Sequence, residues 1–300
     1  MNKNTDGFFP KAGLVWGNMR IFDEASFHKP NQLAIFLEWL IEHDINAFDS
    51  ADIYGSYKVE EHFGKALSLL STPRYQYKLI TKCSIGTISP QRPENTVKHY
   101  NSTAQYIQKS VETSLKNFHT DYVDLLLLHR PDYLMQADET AHMLDRLIGL
   151  GKLRNVGVSN FTSSQVNLLQ SYLHHPIITN QVEFSPLHLN PLDDGTFDQA
   201  QQMHARPMIW SPFAGGQIFT EGKKQNKELY NVLSLMAKKY GADLDTIILS
   251  WIMRLPSHPV PVIGSNKKER ILKALKTKDI IMDIQDWYAV LEAAQGFPVP

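Results

Sequence analysis

Asp124-Leu125-Leu126-Leu127-Leu128-His129 is the stretch on which the architecture turns. It is a short apolar run that stops on an ionisable residue. Upstream, Ile107, Val111, Leu115 and Phe118 recur at helical spacing and give one face of an amphipathic helix. The same unit repeats outward in both directions. Strands are expected at Gly13–Gly17, Ala47–Asp49, Lys78–Lys82, Val123–Leu128, Leu153–Val158, Ile177–Gln181, Pro207–Trp210 and Val260–Ile263. Between them, Val59, Phe63, Ala66, Leu67 and Leu70 share a helical face. So do Leu233, Met236 and Tyr240, then Leu244, Ile248, Trp251 and Leu255. Thr162 with Gln165, and Asn266 with Glu269, have the spacing of capped helix starts.

Strand–helix alternation along the whole chain implies a parallel sheet covered by helices. Eight such units favour closure into a (β/α)8 TIM barrel over an open doubly wound sheet. No G-x-G-x-x-G opens a helix after an early strand, so the Rossmann fingerprint is missing. No low-complexity linker divides the chain, and residues 1–300 are expected to form one barrel domain.

Composition narrows the function classes. A formal net charge of −1 with no block of like charge offers no field to recruit nucleic acid or acidic lipid. Cys83 is the single cysteine, which rules out an internal disulfide and a paired-thiol metal site. No basic-then-apolar leader occupies Met1–Gly17 and no run of apolar residues is long enough to span a bilayer. A cytoplasmic setting, with no membrane or nucleic-acid partner, is the expectation.

In a barrel, reactive groups belong at the C-terminal ends of strands or in the loops that follow. Three segments qualify. Phe48-Asp49-Ser50-Ala51-Asp52-Ile53-Tyr54-Gly55 puts an acid and a phenol on one strand-to-helix loop. Lys82 closes the third strand, and His129 follows the fourth. Taken singly, each has an ordinary structural reading: a surface turn, a solvated strand end, a satisfied imidazole. Four ionisable residues at the ends of three neighbouring strands supply a proton donor, its activators and an orienting group.

Asp49-x-Ala51-x-x-Tyr54-Gly55, Lys82 and Asp124-Leu125-Leu126-Leu127-Leu128-His129-Arg130-Pro131 together resemble the catalytic tetrad of the aldo-keto reductase superfamily. Gly151–Phe161, Asn180-Gln181-Val182-Glu183 and Trp210-Ser211-Pro212 are similar to further family segments, in family order. Trp210–Gly216 and Ile263-Gly264-Ser265 resemble the bacterial YdhF-like oxidoreductase branch. The resemblance implies NADP(H)-dependent reduction of a small carbonyl substrate. Tyr54 would be the general acid, and Lys82, held by Asp49, would lower the phenol's pKa from its reference near 10. His129 would orient the carbonyl.

The resemblance also implies a cofactor groove. Ser159, Asn160 and Gln181 would hold the nicotinamide carboxamide, and Trp210 would stack on its ring. Ser211, Phe213, Gly215 and Gly216 would line the pyrophosphate, Met19 would wall the pocket, and Gly264, Ser265 and Arg270 would meet the adenosine 2′-phosphate at a helix start. The chain departs from many relatives here, with Gly264 where a lysine is common and Lys273-Ala274 where Glu-Asn is common. Loops at Ile85–Asn101, Pro131–Gln136 and Gly215–Gln225 would set specificity. A monomer or weak homo-oligomer is expected. Two rivals remain open at this point: a Schiff-base aldolase-type barrel built on Lys82, and an NADP(H)-binding regulatory subunit with slow turnover.

Overall fold

The computed structural model describes residues 7–219 and 227–300. Eight strands close a parallel barrel: β1 (Val15–Gly17), β2 (Ala47–Asp49), β3 (Lys78–Cys83), β4 (Leu125–Leu128), β5 (Val156–Ser159), β6 (Ile177–Glu183), β7 (Met208–Trp210) and β8 (Val260–Ile263). Each strand pairs with its sequence neighbours, and β1 closes on β8 through Val15 with Val262 and Trp16 with Ile263. Helices follow the strands and form the outer layer, as the alternation requires. The expected (β/α)8 barrel is what the chain adopts.

Alternation along each strand decides which side chains fill the barrel and which reach its mouth. Val15, Ala47, Ile80, Leu125, Leu127, Ile178, Met208 and Val260 pack together inside, joined by Phe8 and Phe9 from the segment before β1. Trp16, Phe48, Leu79, Leu126 and Leu128, one residue out of phase, pack under the helices in a second cluster. Two residues past Ala47 comes Asp49, and two past Ile80 comes Lys82. The same period that buries the aliphatic core therefore sends this acid and this amine inward, one layer above it.

Several boundaries differ from expectation. Val123 and Leu153 pair only as an isolated parallel bridge, so β4 and β5 begin at Leu125 and Val156. β6 runs on to Glu183, where it pairs with Trp210 of β7. The capping box at Thr162 and Gln165 is present. The one expected at Asn266 and Glu269 is not. That helix, Lys268–Leu275, takes Lys267 as its N-cap and has no side-chain cap; Asn266 lies one residue too early, and its Nδ2 donates to the Arg20 carbonyl at 2.9 Å. Leu255 is buried but lies beyond the helix end at Met253. The expected loop Ile85–Asn101 carries a two-residue antiparallel ladder, Ile85–Gly86 with His99–Tyr100. The end of the expected Gly215–Gln225 loop lies outside the described residues.

Candidate active site

Lys82 is the hub. Its side chain is 1% exposed, and its ammonium donates to Asp49 Oδ2 at 2.7 Å, to the Ser50 carbonyl at 2.7 Å and to Tyr54 Oη at 3.1 Å. An ammonium has three N–H groups, so all are used. Asp49 Oδ1 accepts from Gln181 Nε2 at 3.0 Å, which ties β2 to β6 across the barrel mouth. Burial alone would lower the Lys82 pKa. The Asp49 carboxylate, with Tyr54 and the hydrogen bonds to both, outweighs it and raises the value, so the group is a fixed cation at neutral pH. A Schiff-base lysine needs a free amine. This one is protonated and fully bonded, which removes the observation that an aldolase-type reading would need.

Tyr54 is brought to Lys82 by an unusual loop. Gly55, Ser56 and Tyr57 all lie in the left-handed region, at φ 55°, 55° and 66°. A non-glycine residue there costs about 1 kcal/mol or more. The turn is pinned by Tyr57, whose hydroxyl accepts from the Thr87 amide at 3.0 Å. Burial raises the Tyr54 pKa above its ordinary value, and Lys82 pulls it back only in part. Lys82 acts on the phenol in the expected direction, by its charge and its hydrogen bond, but desolvation is the larger effect and the net value stays raised.

His129 completes the cluster. Its backbone amide donates to the Cys83 carbonyl at 2.8 Å and to Ser84 Oγ at 3.2 Å, so β4's end is stapled to β3's. Its ring centroid lies 6.1 Å from that of Tyr54, edge to face at 80°. Nδ1 is buried with no partner among the described residues. Burial, then Lys82, Arg130 and Lys98, hold the imidazole pKa well below its usual value. The ring is neutral, with one nitrogen to donate and one to accept. Thus Asp49, Tyr54, Lys82 and His129, separated by up to eighty residues of sequence, do converge at the mouth.

The expected cofactor residues form a connected chain beside them. Trp210 Nε1 donates to Asn160 Oδ1 at 3.0 Å, Asn160 Nδ2 donates to Ser159 Oγ at 2.7 Å, and Ser159 Oγ donates to the Gln181 carbonyl at 2.9 Å. Asn160, Ser211 and Ala214 have positive φ of 58°, 50° and 49°. Gly215 and Gly216 reach 65° and 91°, with open space where a Cβ would stand. Glycine is needed there for conformation rather than for room. Phe213 rests against Phe219 at 5.6 Å, and Met19 is 54% exposed. An amide-rich step, an indole and a glycine turn in series fit the carboxamide, ring and pyrophosphate of a nicotinamide dinucleotide.

At the far end, Ser265 Oγ accepts from the Lys267 amide at 3.2 Å, its carbonyl accepts from Trp16 Nε1 at 3.0 Å, and Arg270 is exposed in the first turn of the next helix. A Cβ on Gly264 would meet Arg20 Nη2 at 2.8 Å. The volume that a side chain at 264 would enter is held by a guanidinium from the loop after β1. Lys273 is turned away, paired with Asp243 at 3.1 Å. The sequence alone gives neither Arg20 nor Arg130 a role of its own, although Arg20 closes the Gly17–Arg20 segment after the first strand and Arg130 stands inside the His129 motif. Arg130 follows His129 at a strand end, so the positional rule that found His129 also reaches it.

A (β/α)8 barrel with a buried lysine–aspartate pair, a tyrosine bonded to the lysine and a neutral histidine at its mouth has the layout of a carbonyl oxidoreductase. The Aldo/keto reductase family profile matches residues 13–294, and the chain belongs to that family. It is 43% identical over 288 residues to oxidoreductase YdhF of Escherichia coli (strain K12), covering 96% of this chain and 95% of that one. It is 37% identical over 283 residues to a 6-dehydroglucose reductase of Agrobacterium fabrum (strain C58), covering 94% of each. The fold is similar to a crystal structure of a thermostable aldo-keto reductase, Tm1743, in complex with the inhibitor epalrestat. That match has a TM-score of 0.77 at 23% identity over 94% of each chain.

Proposed function

We propose that the chain is an NADP(H)-dependent reductase of small aldehydes or ketones, with Tyr54 as its general acid. The observation that carries this reading is the 3.1 Å contact from the Lys82 ammonium to Tyr54 Oη, inside the buried pair with Asp49. Asp49 keeps Lys82 charged. Lys82 fixes the Tyr54 hydroxyl and stabilises the phenolate left when the proton departs. Neutral His129 donates a hydrogen bond to the carbonyl oxygen and sets its approach to Tyr54. Bound NADPH supplies the hydride to the carbonyl carbon. Ser159, Asn160 and Gln181 hold the carboxamide, Trp210 covers the ring, and Ser211, Phe213, Gly215 and Gly216 border the pyrophosphate.

Ser265 and Arg270, with Arg20 over Gly264, favour NADPH over NADH, since a guanidinium fork matches a phosphate. The same reading takes residues 1–300 as one domain, acting in the cytoplasm as a monomer or weak homo-oligomer. No helix among the described residues is long and apolar enough to cross a membrane.

The test is oxidation of NADPH with a panel of aromatic and short aliphatic aldehydes. Tyr54→Phe is expected to lower kcat by about 10²–10⁴-fold while leaving NADPH affinity within about threefold. A variant with wild-type kcat would remove Tyr54 from the role.

A further inference from the structure

Arg130 is not used by the chemistry above, yet it stands at the barrel mouth. It follows His129 directly, and its Cζ lies 5.6 Å from the ring centroid of Trp210. The side chain therefore reaches from the end of β4 to the end of β7, between the carbonyl-orienting imidazole and the indole assigned to the nicotinamide. Its charge is felt by both Tyr54 and His129. Among the described residues it has no hydrogen bond and no ion pair.

The nearby acids are spent or stand apart. Asp132 uses Oδ2 on the Ser102 amide at 2.8 Å and Oδ1 on the Leu134 amide at 2.9 Å. Asp49 is saturated by Lys82 and Gln181. Glu183, whose register partner is Trp210, makes no ion pair with Arg130. A second cation, exposed Lys98, lies close enough for its charge to act on His129. The mouth thus carries two uncompensated positive charges above a neutral catalytic pair. An unpaired guanidinium fork is the side chain best shaped to receive a carboxylate bidentately.

We propose that Arg130, assisted by Lys98, selects carbonyl substrates that carry a carboxylate, holding the anion while His129 and Tyr54 receive the carbonyl oxygen. This rests on the reductase reading and names the substrate class of that same site. Arg130 is a specificity residue, acting on the substrate's far end rather than on the reacting atoms.

The test compares two matched pairs with NADPH: 4-carboxybenzaldehyde against benzaldehyde, and succinic semialdehyde against butanal. The wild type is expected to favour the carboxylated partner by about 10-fold or more in kcat/KM, a span set by hydrogen bonds to a charged group. Arg130→Met should collapse that ratio toward one through a higher KM for the carboxylated aldehyde. Arg130→Lys should restore part of it, because the charge returns without the fork. A wild-type ratio near one, or a ratio unmoved by Arg130→Met, overturns the proposal, since mere packing on Trp210 would leave it unchanged. Preference for a neutral polyhydroxylated aldehyde such as glyceraldehyde over both acids overturns it too. If no aldehyde is turned over, the reductase reading fails. Calorimetric titration of benzoate into the NADP⁺ complex then decides Arg130 by itself. Binding lost in Arg130→Met sustains the anion site, and binding kept or never seen refutes it.

Discussion

Asp49→Asn separates the charge of the buried pair from its shape. The side chains of Lys82 and Asp49 are 1% and 4% exposed, and their 2.7 Å contact is enclosed by the barrel. Asparagine keeps the volume but offers a single acceptor oxygen where two donors, Lys82 Nζ and Gln181 Nε2, now converge. One of them must face an N–H₂ group. Removing one partner of a buried ion pair costs about 3–5 kcal/mol, because the other charge stays buried without compensation. That is a large part of the roughly 5–15 kcal/mol that holds a typical fold together. For a chain of this length it lowers Tm by roughly 6–10 °C. Lys82 should also lose its raised pKa, so that the ammonium next to Tyr54 is partly discharged and turnover falls. The control is Asp49→Leu with Lys82→Met, which removes both charges and refills the space. Such exchanges are neutral or stabilising elsewhere, so the double variant should melt close to wild type while remaining inactive. Differential scanning calorimetry gives the stabilities and NADPH absorbance gives the turnover. An Asp49→Asn protein that melts with the wild type, or a double variant less stable than the single one, would refute the premise that this pair is buried and coupled.

Three further outcomes are expected. The Asp52 carboxylate is enclosed although the residue as a whole is partly exposed, and burial, with the charge of Glu60, raises its pKa from 3.8 to about 8. Between those values the folded protein keeps a proton that the unfolded chain has released, so this group withdraws stability as pH rises from about 4 to about 8. Asp52→Asn should flatten that decline, by about 2–4 kcal/mol between about pH 5 and pH 9, as read by urea unfolding at each pH. Gly64→Ala would place a Cβ 1.8 Å from the Asn117 carbonyl oxygen. Helices Val59–Leu67 and Ala104–Phe118 must then separate, and a loss of about 3 kcal/mol or more is expected in thermal unfolding. Arg270→Ala should weaken NADPH binding by about 10-fold or more through a lost charged hydrogen bond, with little effect on NADH. Equal losses in fluorescence titrations of the two cofactors would take Arg270 off the 2′-phosphate.

The chain itself determined the barrel. Short apolar runs of three to six residues alternating with helical faces leave a parallel sheet as the economical burial, and the eight observed strands overlap the eight expected ones. It also exposed Asp49, Tyr54, Lys82 and His129, since each sits where a strand meets its following loop, and strand ends are visible as the point where hydrophobicity stops. The register was less visible. Val123 and Leu153 are as apolar as their neighbours, but they make only a single bridge. The Asn266 cap failed because the helix begins one residue later than its spacing implies, with Lys267 at the cap, while the Asn266 Nδ2 reaches the Arg20 carbonyl 246 residues away.

What only the tertiary structure decided are quantities that depend on several elements at once. Whether burial or Lys82 dominates at Tyr54 is a balance between desolvation by the closed mouth and one charge at 3.1 Å, and no spacing along the chain encodes it. The same holds for Arg20 filling the space over Gly264, and for Arg130 remaining without an anion while Asp132, two residues on, turns to backbone amides. Local pattern fixes what each segment is. Closure of the barrel, which brings β1 beside β8 and β2 across from β6, fixes what each charged group finds when it arrives.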